Sequence, residues 1–378
     1  MEYKSIYIEE TGTRIELTSF TAGDVTELHA MLHVDPRGDL FEAQLCRIAK
    51  AEGYLMATEE AKDAQPVFKR YFLSDAANQA PLITKSSQCA VSCIQQPPLD
   101  GSKIAVWLYL QKGTEVSHMD GSAIVSHNGY KHIWTMGLLN TSADTSYMQT
   151  WNTLLSYIDT LKLFSATLKE NGIRTWFYVR DVDTQYGGLV KSRRECFVEQ
   201  GLTQDTHYIS STGIGGTPAD PKALVQLDSY AMTGFLPEQQ RYLYAPTHLN
   251  KTYEYGVTFE RGTLMQYGDR NHIYISGTAS INNQGEVVHV GNIILQTQRM
   301  WENVEKLLEE GGMSYDDVMQ IIVYLRDGSD YQVVKQLFDS KFPQKPFVIT
   351  LAPVCRPTWL IEMECIAVKK SQSEYPNF

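Results

Sequence analysis

Two stretches of this chain pass through the same landmarks in the same order, and that repetition restricts its possible folds more than any other feature. From Asn271 the sequence reads as strand, linker, helix, strand, helix, strand. His272-Ile273-Tyr274 with Gly277 opens the series. In the helix that follows, Met300, Trp301, Val304, Leu307 and Leu308 have the three- and four-residue spacing of one buried face, and Gly311-Gly312 ends it. Val318 to Leu325, closing on Arg326-Asp327, reads as a strand, Tyr331 to Phe338 as a short helix, and Phe347 to Thr350 as a further strand. The middle of the chain answers each landmark: His132-Ile133-Trp134 with Gly137, a helix opened by Gln149-Thr150-Trp151 and running to Asn171-Gly172, then Tyr178-Val179-Arg180-Asp181, Phe197, and Ala223 to Asp228. In that alignment Gln226 stands where Glu362 stands. A weaker third copy opens the chain, with a hairpin at Tyr7-Ile8 and Arg14 to Leu17. It continues through a helical stripe of Phe41, Leu45, Ile48 and Ala49, a strand from Phe68 to Phe72, and closing strands at Ala90 to Ile94 and Ile104 to Leu110 that hold no carboxylate.

A chain of 378 residues exceeds one typical domain, and the repeat divides it into units at 1–115, 116–240 and 241–370, with a polar, loose tail at 371–378. Each unit reads as a small sheet carrying two helices on one face, which leaves its other face bare. Three such sheets can cover one another around a pseudo-threefold axis, giving an α+β pseudo-trimer within one chain, the counterpart of a closed homotrimer. Clefts then form between adjacent units, and ligand sites favour such places.

The closing stretch, Pro353 to Val368, reads as one long strand with two glutamates in an apolar run. Strand side chains alternate, so Leu360, Glu362, Glu364 and Ile366 share a face while Trp359, Ile361, Met363 and Cys365 take the other. A carboxylate among such neighbours is either solvated at a strand end or desolvated with a raised pKa, and the second state suits a general acid. Glu362 is the candidate, with Glu364 competing.

Composition narrows the classes. A net charge of -11 disfavours a nucleic-acid surface, though it leaves room for a local basic pocket that binds a small anion. No apolar run approaches the roughly 18 residues of a spanning helix, so a membrane partner is not expected. Met1-Glu2-Tyr3-Lys4-Ser5 leads directly into an alternating pattern with no apolar leader, and the default expectation is a cytoplasmic location. Cys46, Cys89, Cys93, Cys196, Cys355 and Cys365 lack metal or disulfide spacing and read as reduced, mostly buried thiols. His118, His127 and His132 sit at non-helical spacing in strand-like segments, where a satisfied or solvated imidazole is commoner than a metal ligand. No metal or cofactor is expected.

From Leu308-Glu309-Glu310-Gly311-Gly312 through Tyr324-Leu325-Arg326-Asp327 to Glu362-Met363-Glu364, the last unit resembles the Rid/YjgF family of reactive-intermediate deaminases, also known as endoribonuclease L-PSP-like proteins. That resemblance implies a chorismate-mutase-like fold, homotrimers in the family, and sites between subunits. The arginine that binds substrate carboxylate in that family matches a position near Phe347, and no arginine lies between Arg326 and Arg356. Over the whole chain the sequence resembles the chorismatases, which fuse Rid-like units and remove pyruvate from chorismate. Arg174-Thr175-Trp176-Phe177-Tyr178 is similar to their Arg-x-Trp-Asn-Tyr strand, Arg193 to Phe197 to their Gly-Arg-x-Glu-Ala-Phe, and Ser211-Thr212-Gly213-Ile214-Gly215 to their Thr-Gly-Ile-Gly turn. Cys355, seven residues before Glu362, matches a cysteine that one chorismatase subtype uses in forming hydroxybenzoate.

The resemblance implies a hydrolase or lyase acting on a small carboxylate-bearing metabolite, with Glu362 as general acid and Cys355 as a buried thiol against the substrate. For the carboxylates Arg193 and Arg180 are the choices, since a guanidinium fork grips a carboxylate at two points, although a solvated surface arginine is an equal alternative. Gly213 and Gly215 offer backbone amides, Tyr178 and Tyr208 hydroxyls, and Thr278 and Arg356 a polar and an anion contact at the same end of the last unit. Two other readings stay open: a Rid-type imine or enamine deaminase, and a non-catalytic small-anion binding protein. A chain that already holds three units has no need to trimerise, so a monomer or a small homo-oligomer is expected.

Overall fold

The computed structural model describes residues 1–83 and 88–378 and contains three mixed sheets with helices packed against them, an α+β architecture of three similar units. The first unit runs β1 (Glu2–Ile8), β2 (Thr13–Ala22), β3 (Val25–Val34), α1 (Phe41–Met56), β4 (Gln65–Leu73), α2 (Ala76–Gln79), β5 (Ala90–Gln95) and β6 (Ile104–Lys112). The second runs β7 (Glu115–Met119), β8 (Ser122–His127), β9 (Tyr130–Leu138), α3 (Ser146–Lys162), α4 (Leu168–Asn171), β10 (Gly172–Val179), α5 (Val182–Glu199), β11 (Ser210–Gly215), β12 (Thr217–Pro218) and β13 (Val225–Thr233). The third runs β14 (Gln240–Leu243), β15 (Gly262–Gln266), β16 (Arg270–Ala279), α6 (Ile293–Glu310), β17 (Val318–Leu325), α7 (Tyr331–Lys341), β18 (Phe347–Leu351) and β19 (Ile361–Lys370). In the first unit the second helix has shrunk to the single turn of α2.

Strand order is the same in each unit: a hairpin strand, then the long closing strand, then a strand paired antiparallel to it, then a parallel edge strand. Pairing register defines the equivalent positions. Tyr178 opposes Gln226 in the second unit, Tyr324 opposes Glu362 in the third, and Phe72 opposes Ala105 in the first. One step along, Trp176 opposes Asp228, Ile322 opposes Glu364, and Arg70 opposes Trp107. The glutamate position has therefore become glutamine in one unit and alanine in another.

The inner sheet faces are apolar and meet in one core to which all three units contribute, including Phe68, Trp107, Trp134, Trp176, Tyr230, Tyr274 and Ile322. On the outer side, α1 covers its sheet with Phe41, Ile48, Ala51 and Leu55, and α3 with α5 cover theirs. Helix starts follow ordinary capping chemistry: Thr145 accepts from Met148 N and Asn292 from Leu295 N.

Backbone pairing crosses every seam between units. Strand β12 of the second unit adds to the first sheet beside β5, Leu99 N donates to Ile349 O, and Ile214 bridges Val354. Buried ion pairs also cross the seams: Arg70 contacts Asp228 at 3.0 Å, and Arg270 contacts Glu27 at 2.8 Å.

Two sequence expectations change. Pro353 to Leu360 is loop, because Pro353 and Pro357 cannot donate to a ladder, and the strand begins only at Ile361. The tail is not loose. Phe378 is buried, with its ring centroid 4.7 Å from both His132 and His272 and 4.9 Å from Tyr267, and Gly268 N donates to Pro376 O at 2.8 Å. An aromatic end outweighs the polar residues before it.

Candidate active site

A cavity with about 700 Å³ of empty space, its mouth included, opens at the seam between the second and third units. Helix α5 supplies Tyr186 and Arg193, and β11 supplies Ser211 and Gly213. The third unit supplies the segment 257–261, the Gly277 bulge of β16, the loop with Cys355, Arg356 and Trp359, and Glu362 at the start of β19.

Glu362 is 5% exposed. Burial and the neighbouring Glu364 carboxylate push its pKa up to about 8, against opposing pulls from Arg174 and Arg261. Space for it exists because residue 277 is glycine. The pairing of β16 with β19 shifts register between Ile275 and Thr278, and a Cβ at Gly277 would collide with Glu362 Oε1. Thr212 Oγ1 of the second unit accepts from Gly277 N at 2.9 Å and so pins the bulge across the seam.

Glu364, on the same strand face, is engaged elsewhere. Its carboxylate accepts from Trp176 Nε1 at 2.6 Å, from Arg174 at 2.8 Å and from Thr212 Oγ1. The two glutamates differ in surroundings: one is an ion-paired tie between units, the other faces open space.

Three guanidinium groups line the cavity. Arg193 is buried and donates to Ser211 Oγ at 3.3 Å. Arg261, also buried, donates to Asn250 O at 3.1 Å through Nη2. Arg356 lies 4.8 Å over the Trp359 ring. Val257, Phe259, Ala279, Ile281 and Trp359 make the remaining walls apolar. The Cys355 thiol is pushed up to about 12 by burial and by Glu362, with the Tyr186 hydroxyl as its hydrogen-bonding neighbour. The thiol is thus protonated near neutral pH, which suits contact and not nucleophilic attack.

Among the residues singled out from sequence, Glu362, Cys355, Arg193, Gly213 and Arg356 line this one cavity. The others lie elsewhere, each for a physical reason. Arg180 is spent on backbone carbonyls, donating to Ala223 O at 2.8 Å and Asp220 O at 2.9 Å. Tyr178 is fully buried at the centre, its ring 5.5 Å beneath the Arg70 guanidinium. Thr278 turns inward to donate to Ser276 O. Gly215 belongs to a strand, not a turn; its N–H is used by Pro353 O, and a Cβ there would sit 2.7 Å from that oxygen. Tyr208 borders a different pocket, behind the segment 257–261.

Sequence reasoning missed Arg261, Tyr186, Ser211 and Trp359. The alternation of Val257, Phe259 and Arg261 was the available signal, since these three face the cavity while Glu260 between them faces away.

Residues 264–369 match the family model described as Endoribonuclease L-PSP. Over 103 residues the chain is 37% identical to a RutC family protein of Pyrococcus abyssi, covering 26% of this chain and 80% of that one. The chain belongs to the Rid/YjgF family. Within that family, the 3-aminoacrylate deaminase RutC of Acinetobacter baylyi is 31% identical over 100 residues, 26% of this chain and 79% of its own length. A chorismatase crystal structure superposes with a TM-score of 0.65 at 17% identity, covering 82% of this chain and 95% of the other, so the three-unit architecture is shared. Among the described residues no helix is long and apolar enough to cross a membrane.

Proposed function

We propose that this chain is a chorismatase-like enzyme that removes pyruvate from chorismate or a related enolpyruvyl carboxylate, with Glu362 as general acid. The observation that carries the reading is a buried carboxyl with its pKa raised to about 8, facing a cavity that three guanidinium groups line. In that state Glu362 holds a proton at neutral pH. Transfer of the proton to the terminal methylene carbon leaves an oxocarbenium at the ether carbon. Water attacks that carbon and gives one proton back to Glu362, leaving a hemiketal. Its C–O bond to the former ether oxygen then breaks as the hemiketal hydroxyl proton passes to that departing oxygen, releasing pyruvate. Arg193, Arg261 and Arg356 bind and orient the carboxylates, because a guanidinium stays charged when buried and matches the carboxylate fork. Cys355 and Tyr186 form the wall beside the reacting ether.

Release of pyruvate, followed by coupled reduction with lactate dehydrogenase, tests the reading. Wild type turns over chorismate, and Glu362→Gln lowers kcat by at least about a thousandfold, beyond the 10²–10⁴-fold span's lower end for a positioned acid. A Glu362→Gln variant with unchanged kcat ends the assignment. Family membership favours one second reading, hydrolysis of an enamine or imine with ammonia release, and it prevails if ammonia appears from such a substrate while chorismate stays intact.

A further inference from the structure

Behind the segment 257–261 lies a second pocket, of about 390 Å³ with its mouth, which the reading above does not use. Its walls include Tyr208, Tyr244, Tyr253 and the Glu260 carboxyl. Glu260 is 7% exposed; its Oε1 accepts from Tyr208 N at 2.8 Å, and its backbone N–H donates to Ile209 O. A buried carboxylate framed by aromatic faces favours one class of ligand, a cation that is also partly apolar, since ring quadrupoles and the carboxylate attract it together. The protein already places such a group there: the Lys251 ammonium stands 5.3 Å from the Tyr244 ring centroid and 5.8 Å from that of Tyr253. No ion pair within 4 Å joins Lys251 to Glu260 among the described residues, so the lysine lines the aromatic side of the pocket and acts on the acid only through space.

The backbone on either side of Lys251 is fixed. Arg261 holds Asn250 O at 3.1 Å, and Thr252 Oγ1 donates to Phe259 O at 2.5 Å. The exposed Lys251 side chain can therefore swing out with its backbone in place. We infer that the pocket of Tyr208, Tyr244, Tyr253 and Glu260 is a binding site for a small organic ammonium ion, with Lys251 as the internal occupant that the ligand displaces.

Isothermal titration with n-butylammonium chloride, against sodium chloride at equal ionic strength, tests this. Wild type binds with saturation at one site per chain. Lys251→Ala binds about tenfold more tightly, because the competing internal cation is gone. Glu260→Gln or Tyr244→Leu placed in the Lys251→Ala background removes the binding. Lys251→Met, which keeps the apolar stem without the charge, shows the same gain and controls for altered folding. No saturable binding to wild type, or binding that survives both Glu260→Gln and Tyr244→Leu, overturns the inference.

Discussion

Glu362 ties the chemistry to a measurable acid–base property. Its folded pKa, about 8, lies above the 4.5 of a free glutamate, so the native state holds an extra proton between those values. Activity that depends on the protonated acid is full below pH 8 and falls as pH rises through it, which a kcat profile from pH 6 to 10 will show. Linkage gives a second consequence with the same sign. The stability contribution of the neutral carboxyl is fully present below the unfolded pKa and is lost as pH climbs to 8. Glu362→Gln should accordingly leave Tm near wild type at pH 5 and raise stability at pH 9, by an amount on the order of a few kcal/mol. A variant equally stable relative to wild type at both pH values would show that the carboxyl is not desolvated.

At the scale of elements, the bulge in β16 decides whether that carboxyl has room. Gly277→Ala should abolish turnover while the fold survives, with a stability cost of about 1–3 kcal/mol from overpacking; activity and denaturant midpoints read the two effects separately. Gly215→Ala acts on the seam itself, because the new methyl meets Pro353, and it should lower stability along with activity. The elements were legible in the sequence wherever a periodic apolar face repeated, as in α6, β17 and β19, and the order of landmarks fixed the three sheets. What could not be read was partnership across seams. Arg180 and Arg193 look alike in sequence, yet one binds carbonyls of its own unit and the other faces the cavity. Glu364 and Glu362 share a strand face, and only the approach of Trp176 and Arg174 from the second unit separates their roles. Arg261 sits just before β15, and the alternation of Val257, Phe259 and Arg261 hinted at a shared face, but which cavity that face lines follows only from the meeting of the second and third sheets.

For the whole molecule, the units depend on one another through buried charge. Arg70 of the first unit and Asp228 of the second are both fully buried, and Arg70 also stacks 4.7 Å over the Trp176 ring. Arg70→Met strands a buried carboxylate and should cost about 3–5 kcal/mol. Pairing it with Asp228→Leu should restore part of that loss, as a denaturant double-mutant cycle will measure. If the single substitution has no effect, the seam is not held by this pair.

The glutamate position carries an acid in one sheet, an amide in the second and a methyl in the third. A ring of identical subunits must alter all its pockets whenever one residue changes, whereas here a single mutation touches a single pocket. Substrate should consequently saturate this polypeptide at one equivalent per chain, which a stoichiometric titration will measure.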